Sequence, residues 1–133
     1  MNLLPAKVLS VDAGRANLLL DAALTAEVSM NLTGASAGDT ITVGVRPEAV
    51  EVVPQGAKTP QGMTTLPARI ESVERLGNIT YAYLDGGTPE VITVQVMGDV
   101  EIEPGQDVRV GMRPDSLHIF DATGAVMATG AGN

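Results

Sequence analysis

Residues Gly38-Asp-Thr-Ile-Thr-Val-Gly-Val-Arg-Pro-Glu-Ala-Val-Glu-Val52 recur 67 positions later as Gly105-Gln-Asp-Val-Arg-Val-Gly-Met-Arg-Pro-Asp-Ser-Leu-His-Ile119. The copies align without gaps, and apolar residues match at the inward positions of an alternating strand. A second pair, Ala6–Asp12 and Ala68–Glu74, repeats at a distance of 62 residues. We interpret the chain as a duplicated β unit whose copies differ by about five residues, a difference that belongs in a loop.

The alternation predicts the architecture. Polar and apolar residues alternate from Thr40 to Val45, and Pro47 ends this pattern because proline has no N–H to donate. Turn signals separate about ten such segments. We therefore predict an all-β chain, built as duplicated OB-like β-barrel or sandwich units with internal pseudo-symmetry. A single domain, 1–133, would contain repeats at 5–53 and 66–121, joined by a Pro/Gly-rich loop at 54–65.

Composition excludes several classes of function. The 133 residues include no Trp and no Cys, one Phe and two Tyr, so the core must be aliphatic. A net charge of −8 argues against a nucleic-acid partner, since phosphate binding needs clustered Lys and Arg. No apolar run approaches the roughly 18 residues needed to cross a bilayer, so we predict no direct membrane insertion.

Catalytic and nucleotide-binding patterns are weak. The loop Gly34–Thr40 has three residues between its glycines and then Asp39, whereas a phosphate loop needs four and a lysine. His118 is the single histidine, and its counterpart in the repeat is Glu51, so a shared exposed position explains both residues. We predict no catalytic, metal or cofactor site in this chain.

The repeated Arg-Pro motifs are the first candidate site. Each arginine follows an apolar strand and precedes a proline and an acid. We expect its guanidinium to pair with that acid or with backbone carbonyls left open by the proline, and removing it would cost about 1 to 3 kcal/mol. The alternative is a role in partner binding. The residues of the two motifs are Arg46, Pro47, Glu48, Arg113, Pro114 and Asp115.

Several motifs together resemble one family: Gly44-Val-Arg-Pro-Glu48, Gly111-Met-Arg-Pro-Asp115, Ser72-Val-Glu-Arg-Leu-Gly-Asn78, Leu117-His-Ile-Phe-Asp121 and the opening Met1–Pro5. The chain is similar, from about residue 1 to 126, to the C-terminal regulatory TOBE domain of ATP-binding subunits of carbohydrate ABC importers. The resemblance is to the maltose and glycerol-3-phosphate type. It implies a non-catalytic domain, because the family's phosphate loop, signature motif and switch histidine have no match here.

The resemblance also implies partners and location. Such a domain helps to pair two ATP-binding subunits into a homodimer, contacts the permease subunits through the ATPase core, and in some members receives a regulatory protein. ATP and Mg²⁺ would bind the ATPase core rather than this chain. The location implied is cytoplasmic, peripheral at the inner face of the membrane.

The segment Glu74-Arg-Leu-Gly-Asn78 is the second candidate site. We predict an exposed apolar Leu76 beside a flexible Gly77, a combination suited to a partner surface, with Glu74 and Asn78 around it. Alternatively, Leu76 folds back onto the end of the barrel.

A rival function is oxyanion binding. Duplicated OB-like domains of similar period occur in molybdate-binding proteins, which carry a Lys-Ala-Ser-like stretch where this chain has its Arg-Pro motifs. The motifs therefore favour the sugar-importer interpretation, and a molybdate titration would separate the two. An unknown enzyme is disfavoured by the single histidine and the absence of cysteine.

Overall fold

The chain forms ten strands and two short 3₁₀ turns in a computed structural model that describes residues 1–21, 26–97 and 101–127. The all-β prediction is confirmed. The 3₁₀ turns are Pro47–Ala49 and Pro114–Ser116. The strands are β1 (Asn2–Asp12), β2 (Arg15–Leu20), β3 (Ala26–Asn31), β4 (Thr40–Val45), β5 (Glu51–Pro54), β6 (Thr64–Leu76), β7 (Ile79–Asp85), β8 (Ile92–Met97), β9 (Asp107–Met112) and β10 (His118–Phe120).

The strands make two five-stranded antiparallel sheets that exchange their last strands. Sheet one has the order β10-β4-β1-β2-β3, and sheet two has the order β5-β9-β6-β7-β8. Thus β5 of the first repeat pairs with β9 of the second, and β10 pairs with β4. The registers are equivalent, because Glu51 pairs with Gly111 and His118 with Gly44. The predicted internal pseudo-symmetry is confirmed in this intertwined form.

The Arg-Pro motifs produce the exchange. Arg46 (φ −72°, ψ 146°) and Arg113 (φ −100°, ψ 138°) are extended, as a residue before proline prefers. Each arginine carbonyl then accepts a bond from the amide three residues on, Ala49 or Ser116, at 2.9 Å. The strand therefore ends in one sheet, and a single turn redirects the chain into the other.

One aliphatic core lies between the sheets. Leu18 and Val43 of sheet one are buried in the same cluster as Ile70 and Val110 of sheet two. A polar contact also joins the units, because the buried side-chain amide of Asn2 accepts a bond from the Thr93 N–H (2.7 Å) and donates one to the Thr93 carbonyl (2.8 Å). The two repeats thus fold around a shared interior.

The length difference between repeats lies mainly in a hairpin, so the expectation that it belongs in a loop was wrong. Both first strands carry a bulge, at Leu9 in β1 and at Glu71 in β6. Beyond it the β1–β2 hairpin has three residue pairs and the β6–β7 hairpin has five. Strand β6 also begins at Thr64, inside the predicted 54–65 loop, because Thr64 pairs with Met112.

Candidate functional site

The two Arg-Pro motifs occupy equivalent backbone positions but make different side-chain contacts. The Arg113 guanidinium donates a 2.9 Å bond to the Gln61 carbonyl, in the segment between β5 and β6. Arg46 is exposed and makes no side-chain hydrogen bond to any described residue. Neither arginine forms an ion pair with Glu48 or Asp115 within the described residues. The expected ion pairs were therefore wrong. The alternative, a backbone carbonyl as acceptor, occurs at Arg113, but that carbonyl belongs to Gln61 and is not one left open by the proline.

The glycine before each motif has a clear packing role. A Cβ atom at Gly44 would lie 3.0 Å from Phe120 Cε2 and 2.5 Å from Met1 Sδ. At Gly111 it would lie 3.2 Å from Val53 Cγ2, and closer to Met63. Phe120 and Val53 are counterparts in the repeat and sit on the exchanged strands. The residue two positions before each arginine must therefore be small for the exchanged strand to pack at this distance.

The second candidate, Glu74 to Asn78, forms the tip of the longer hairpin. Leu76 pairs with Ile79 across a two-residue turn, Gly77-Asn78, in which Gly77 has φ +70°. A positive φ at the first turn position is the geometry in which glycine is favoured. The Leu76 side chain is 55% exposed rather than folded onto the barrel end. Glu74 lies two residues before it on the same face.

An apolar row continues from Leu76 across the sheet. Ile79 pairs with both Leu76 and Met97, so the three side chains share one face, and Met97 is 61% exposed. The adjacent row on that face is Glu74, Tyr81 and Gln95. We call the outer face formed by these two rows the hairpin surface: Glu74, Leu76, Ile79, Tyr81, Gln95 and Met97.

Hydrogen bonds fix the polar side of this surface. The Tyr83 hydroxyl donates to Glu74 Oε1 at 3.3 Å, and the Tyr81 hydroxyl donates to Gln95 Oε1 at 3.5 Å. Removal from water and then the nearby Glu74 carboxylate raise the pKa of Tyr83 above its ordinary value. On the opposite face, Arg75 donates a 2.9 Å bond to the Ile102 carbonyl and ties the hairpin to the segment before β9.

The sequence predicted Leu76 and Glu74 but not the surface residues on β7 and β8. Ile79 could have been found from the hairpin, since a two-residue turn at Gly77-Asn78 places it opposite Leu76. Met97 and the two tyrosines require the β7–β8 register, which the local pattern does not specify. The structure therefore extends a predicted hairpin tip, to which Glu74 and Leu76 belong, into a surface of three strands.

No group of His, Asp or Glu side chains able to hold a metal ion occurs among residues 1–21, 26–97 and 101–127. In the same ranges, no helix is long and apolar enough to cross a membrane.

Comparison with known proteins decides the family. Residues 43–120, which contain both Arg-Pro motifs and the hairpin surface, match the TOBE domain. The chain belongs to the TOBE domain family. This match covers more than half of the chain and includes both exchanged strands.

Similar curated proteins are ATP-binding subunits of importers. The lactose transport ATP-binding protein LacK of Rhizobium radiobacter is 33% identical over an alignment of 127 residues, and the match covers 93% of this TOBE chain and 33% of LacK. The maltose/maltodextrin import protein MalK of Vibrio vulnificus is 25% identical over 125 residues, 93% of this chain and 32% of MalK. The sn-glycerol-3-phosphate import protein UgpC of Ruegeria sp. is 31% identical over 123 residues, with coverages of 91% and 30%. The chain spans about a third of the length of these relatives.

A solved structure supports the fold. The cytoplasmic molybdate-binding protein ModG, with molybdate bound, superposes with a TM-score of 0.65 over 89% of this TOBE chain and 94% of its own. The sequence identity is 13%, so the likeness concerns the duplicated fold alone.

Proposed function

We propose that this TOBE domain is a non-catalytic regulatory domain of a carbohydrate importer's ATP-binding subunit and helps to pair that subunit with its copy. The hairpin surface is the observation that carries this proposal. Leu76 and Ile79 of its apolar row lie at the tip of a hairpin that is longer than its counterpart in the first repeat, and Met97 extends the row onto β8. Exposed apolar side chains in a continuous row are typical of a protein contact.

The remaining partners follow from the same proposal. The ATPase core would bind ATP and Mg²⁺ and contact the transmembrane permease subunits. A regulatory protein would bind to this domain. The assembly would be peripheral at the cytoplasmic face of the membrane. Similarity to LacK, MalK and UgpC supports this arrangement.

The isolated chain is expected to associate only weakly. A stable interface buries about 800 Å² on each partner. Two exposed apolar side chains, Leu76 and Met97, and the half-buried Ile79 supply a fraction of that area, so the ATPase cores and permease subunits must contribute the rest. Dimerisation should therefore be measured in an assembled subunit.

The test replaces the matching third of LacK with this chain and introduces Leu76→Asp. A carboxylate at position 76, beside Glu74, would disrupt an apolar contact, so dimerisation and lactose transport should both fall. Val91→Asp is the matched control, because Val91 is 48% exposed and precedes β8 at the end of the sheet away from the hairpin tip. A folded Leu76→Asp fusion with undiminished dimerisation and transport would remove the hairpin from the interface.

Oxyanion binding remains a second candidate because of one cleft. Arg15 and Arg113 line a cavity of about 350 Å³ together with Ser29 and Asn31, which are groups able to bind an anion. Arg15 already donates to Ser29 Oγ (3.1 Å) and Asn31 Oδ1 (3.2 Å), and the Asp115 carboxylate lines the same cavity and opposes an anion. Calorimetric titration of the chain with molybdate tests this candidate, and the absence of heat above a sulfate control would eliminate it.

A further inference from the structure

Sheet two leaves an open cleft between its two edge strands. Strands β5 and β8 are the ends of the order β5-β9-β6-β7-β8, and the first 3₁₀ turn packs against β8. The cavity between them measures about 610 Å³. Val52 and Pro54 line it from β5, and Gln95, Val96 and Met97 line it from β8. The cleft is therefore bounded by two strand edges that do not pair with each other.

Backbone groups of β8 face this cleft. Asn2 bonds both the N–H and the carbonyl of Thr93, so these two groups point away from β7. In an antiparallel pair the direction of the backbone groups alternates along the strand. The N–H and carbonyl groups of Gln95 and Met97 therefore point the same way, towards the cleft and away from β7.

The edge of β10 in sheet one, which is the counterpart of the β5 edge, is covered by a later segment of this chain. After β10 the chain turns back, and Val126 pairs with Phe120 on the side opposite β4. Met127 N–H donates to the Ile119 carbonyl at 2.8 Å, and Asp121 N–H donates to the Ala125 carbonyl at 2.9 Å. The Met127 side chain packs against the core. Residues 125–127 thus pair with the open edge of β10.

The same two-bond pairing cannot form at the open edge of β5. The counterpart of Asp121 is Pro54, which has no N–H, so one of the two bonds cannot form. The Arg109 guanidinium also holds the chain that follows β5, by donating to the Ala57 carbonyl and to Thr59 Oγ1. The Val52 carbonyl, the counterpart of the Ile119 carbonyl, is left facing the cleft without a partner among the described residues.

We propose that the cleft binds an extended, basic segment of a partner protein, which lies along β5 and donates a main-chain N–H to the Val52 carbonyl. Strand addition of this kind gains affinity from main-chain bonds and specificity from side-chain pockets. Glu48, Glu51 and Glu101 line the cleft, and none of its described lining residues is Lys or Arg. Val52 and Ile102 supply apolar walls. A segment alternating Lys or Arg with aliphatic residues complements this lining.

The test titrates the 133-residue chain with Ac-Lys-Val-Lys-Val-Lys-Val-NH₂ and with the matching Glu-Val peptide. The basic peptide should bind at least ten-fold more tightly and shift the amide resonances of Val52, Gln95 and Met97. Peptides N-methylated on alternate nitrogens test the main-chain bonds, and one of the two alternating sets should lower the affinity at least ten-fold. Equal affinity of the Lys-Val and Glu-Val peptides, or of all the methylated ones, would overturn the proposal.

Charge variants locate the contact. Glu51→Lys should weaken binding of the basic peptide at least ten-fold, whereas Glu71→Lys, an equal charge change at the exposed β6 bulge, should leave it unchanged. Amide spectra of both variants establish that they are folded. If both variants weaken binding of the basic peptide equally, the effect comes from the net charge of the chain, and the proposal is overturned. If the chain dimerises and Glu51→Lys abolishes the dimer, the occupant of the cleft is a second copy of this chain. That result would also overturn the proposal.

Discussion

At the scale of single residues, glycine and methionine together control how closely the exchanged strands approach. Gly111 faces Val53 of β5 and Met63, the residue just before β6. Gly44 faces Phe120 of β10 and Met1, the residue just before β1. The two sets are counterparts, so each repeat uses the same packing at the point where a strand crosses over. A side chain at either glycine competes with the methionine for the same volume.

Gly111→Ala should therefore lower the free energy of unfolding by about 1 to 3 kcal/mol, the usual cost of overpacking a tight interior. In a Met63→Ala background the same substitution should cost clearly less, because the new methyl group enters space that the methionine vacated. Urea unfolding of the four proteins gives the coupling energy. Additive effects of the two substitutions would show that Met63 does not limit the space at Gly111.

The two arginines show how far residue identity can be predicted. Arg46 and Arg113 have similar sequence neighbours, and both have an extended backbone followed by a 3₁₀ turn. Their side chains differ because the segment after β5 passes near Arg113 and offers the Gln61 carbonyl. Such a contact depends on where a distant loop lies, which the repeat does not encode. The predicted loss of about 1 to 3 kcal/mol has no structural basis at the exposed Arg46.

At the scale of elements, the turn after β10 depends on one carboxylate. Asp121 Oδ1 accepts bonds from the Thr123 hydroxyl (2.6 Å), the Thr123 N–H (2.9 Å) and the Ala125 N–H (3.0 Å). The Thr123 hydroxyl, followed by these backbone amides, lowers the pKa of Asp121 below its ordinary value. The ionised carboxylate thereby holds the chain in position to pair with β10.

The pairing of residues 125–127 with β10 should loosen in acid. Because the folded-state pKa of Asp121 is lowered, its stabilising effect is complete above the ordinary aspartate pKa of about 4 and is lost as the pH falls through the lowered value. Hydrogen exchange of the Met127 amide should accelerate there relative to the intrinsic exchange rate. Asp121→Asn keeps an acceptor oxygen and cannot titrate, so its tail should show no such step. The same step in both proteins would assign it to another group.

Strands were predictable because their signal is local. Polar and apolar patterning together with turn signals predicted about ten short strands, and ten form within the described residues. The repeat made each assignment support its copy. The ends were less certain at β6, where Thr64 and Thr65 belong to the strand because β9 offers them partners, Met112 and Gly111. Pairing partners far along the chain thus extended an element that its own residues specify only weakly.

At the scale of the whole molecule, the strand exchange could not be predicted from the pattern. Strands β4 and β9 have the same alternation and the same following motif, so β5 could pair with either one. The path of a single 3₁₀ turn decides between them. The result is a core built by both repeats, in which Ile119 of the second repeat is fully buried while its strand pairs with β4 of the first.

Neither repeat should therefore fold alone. A chain divided between Lys58 and Thr59 yields one fragment with β1–β5 and another with β6–β10. Each fragment lacks one outer strand of its sheet and the facing half of the core, so each should be unfolded in isolation by circular dichroism. An equimolar mixture should recover the β spectrum and the dispersed amide resonances of the intact chain.

Variants of the second fragment test the exchange itself. Ile119→Asp would bury an unpaired charge in sheet one, so an isotopically labelled first fragment should stay unfolded when mixed with it. His118→Asp, an exposed neighbour on the same strand, should permit folding of the mixture. A first fragment that folds without its partner, or one that folds equally well with both variants, would show that the repeats are autonomous and that the exchanged β10 is dispensable for sheet one.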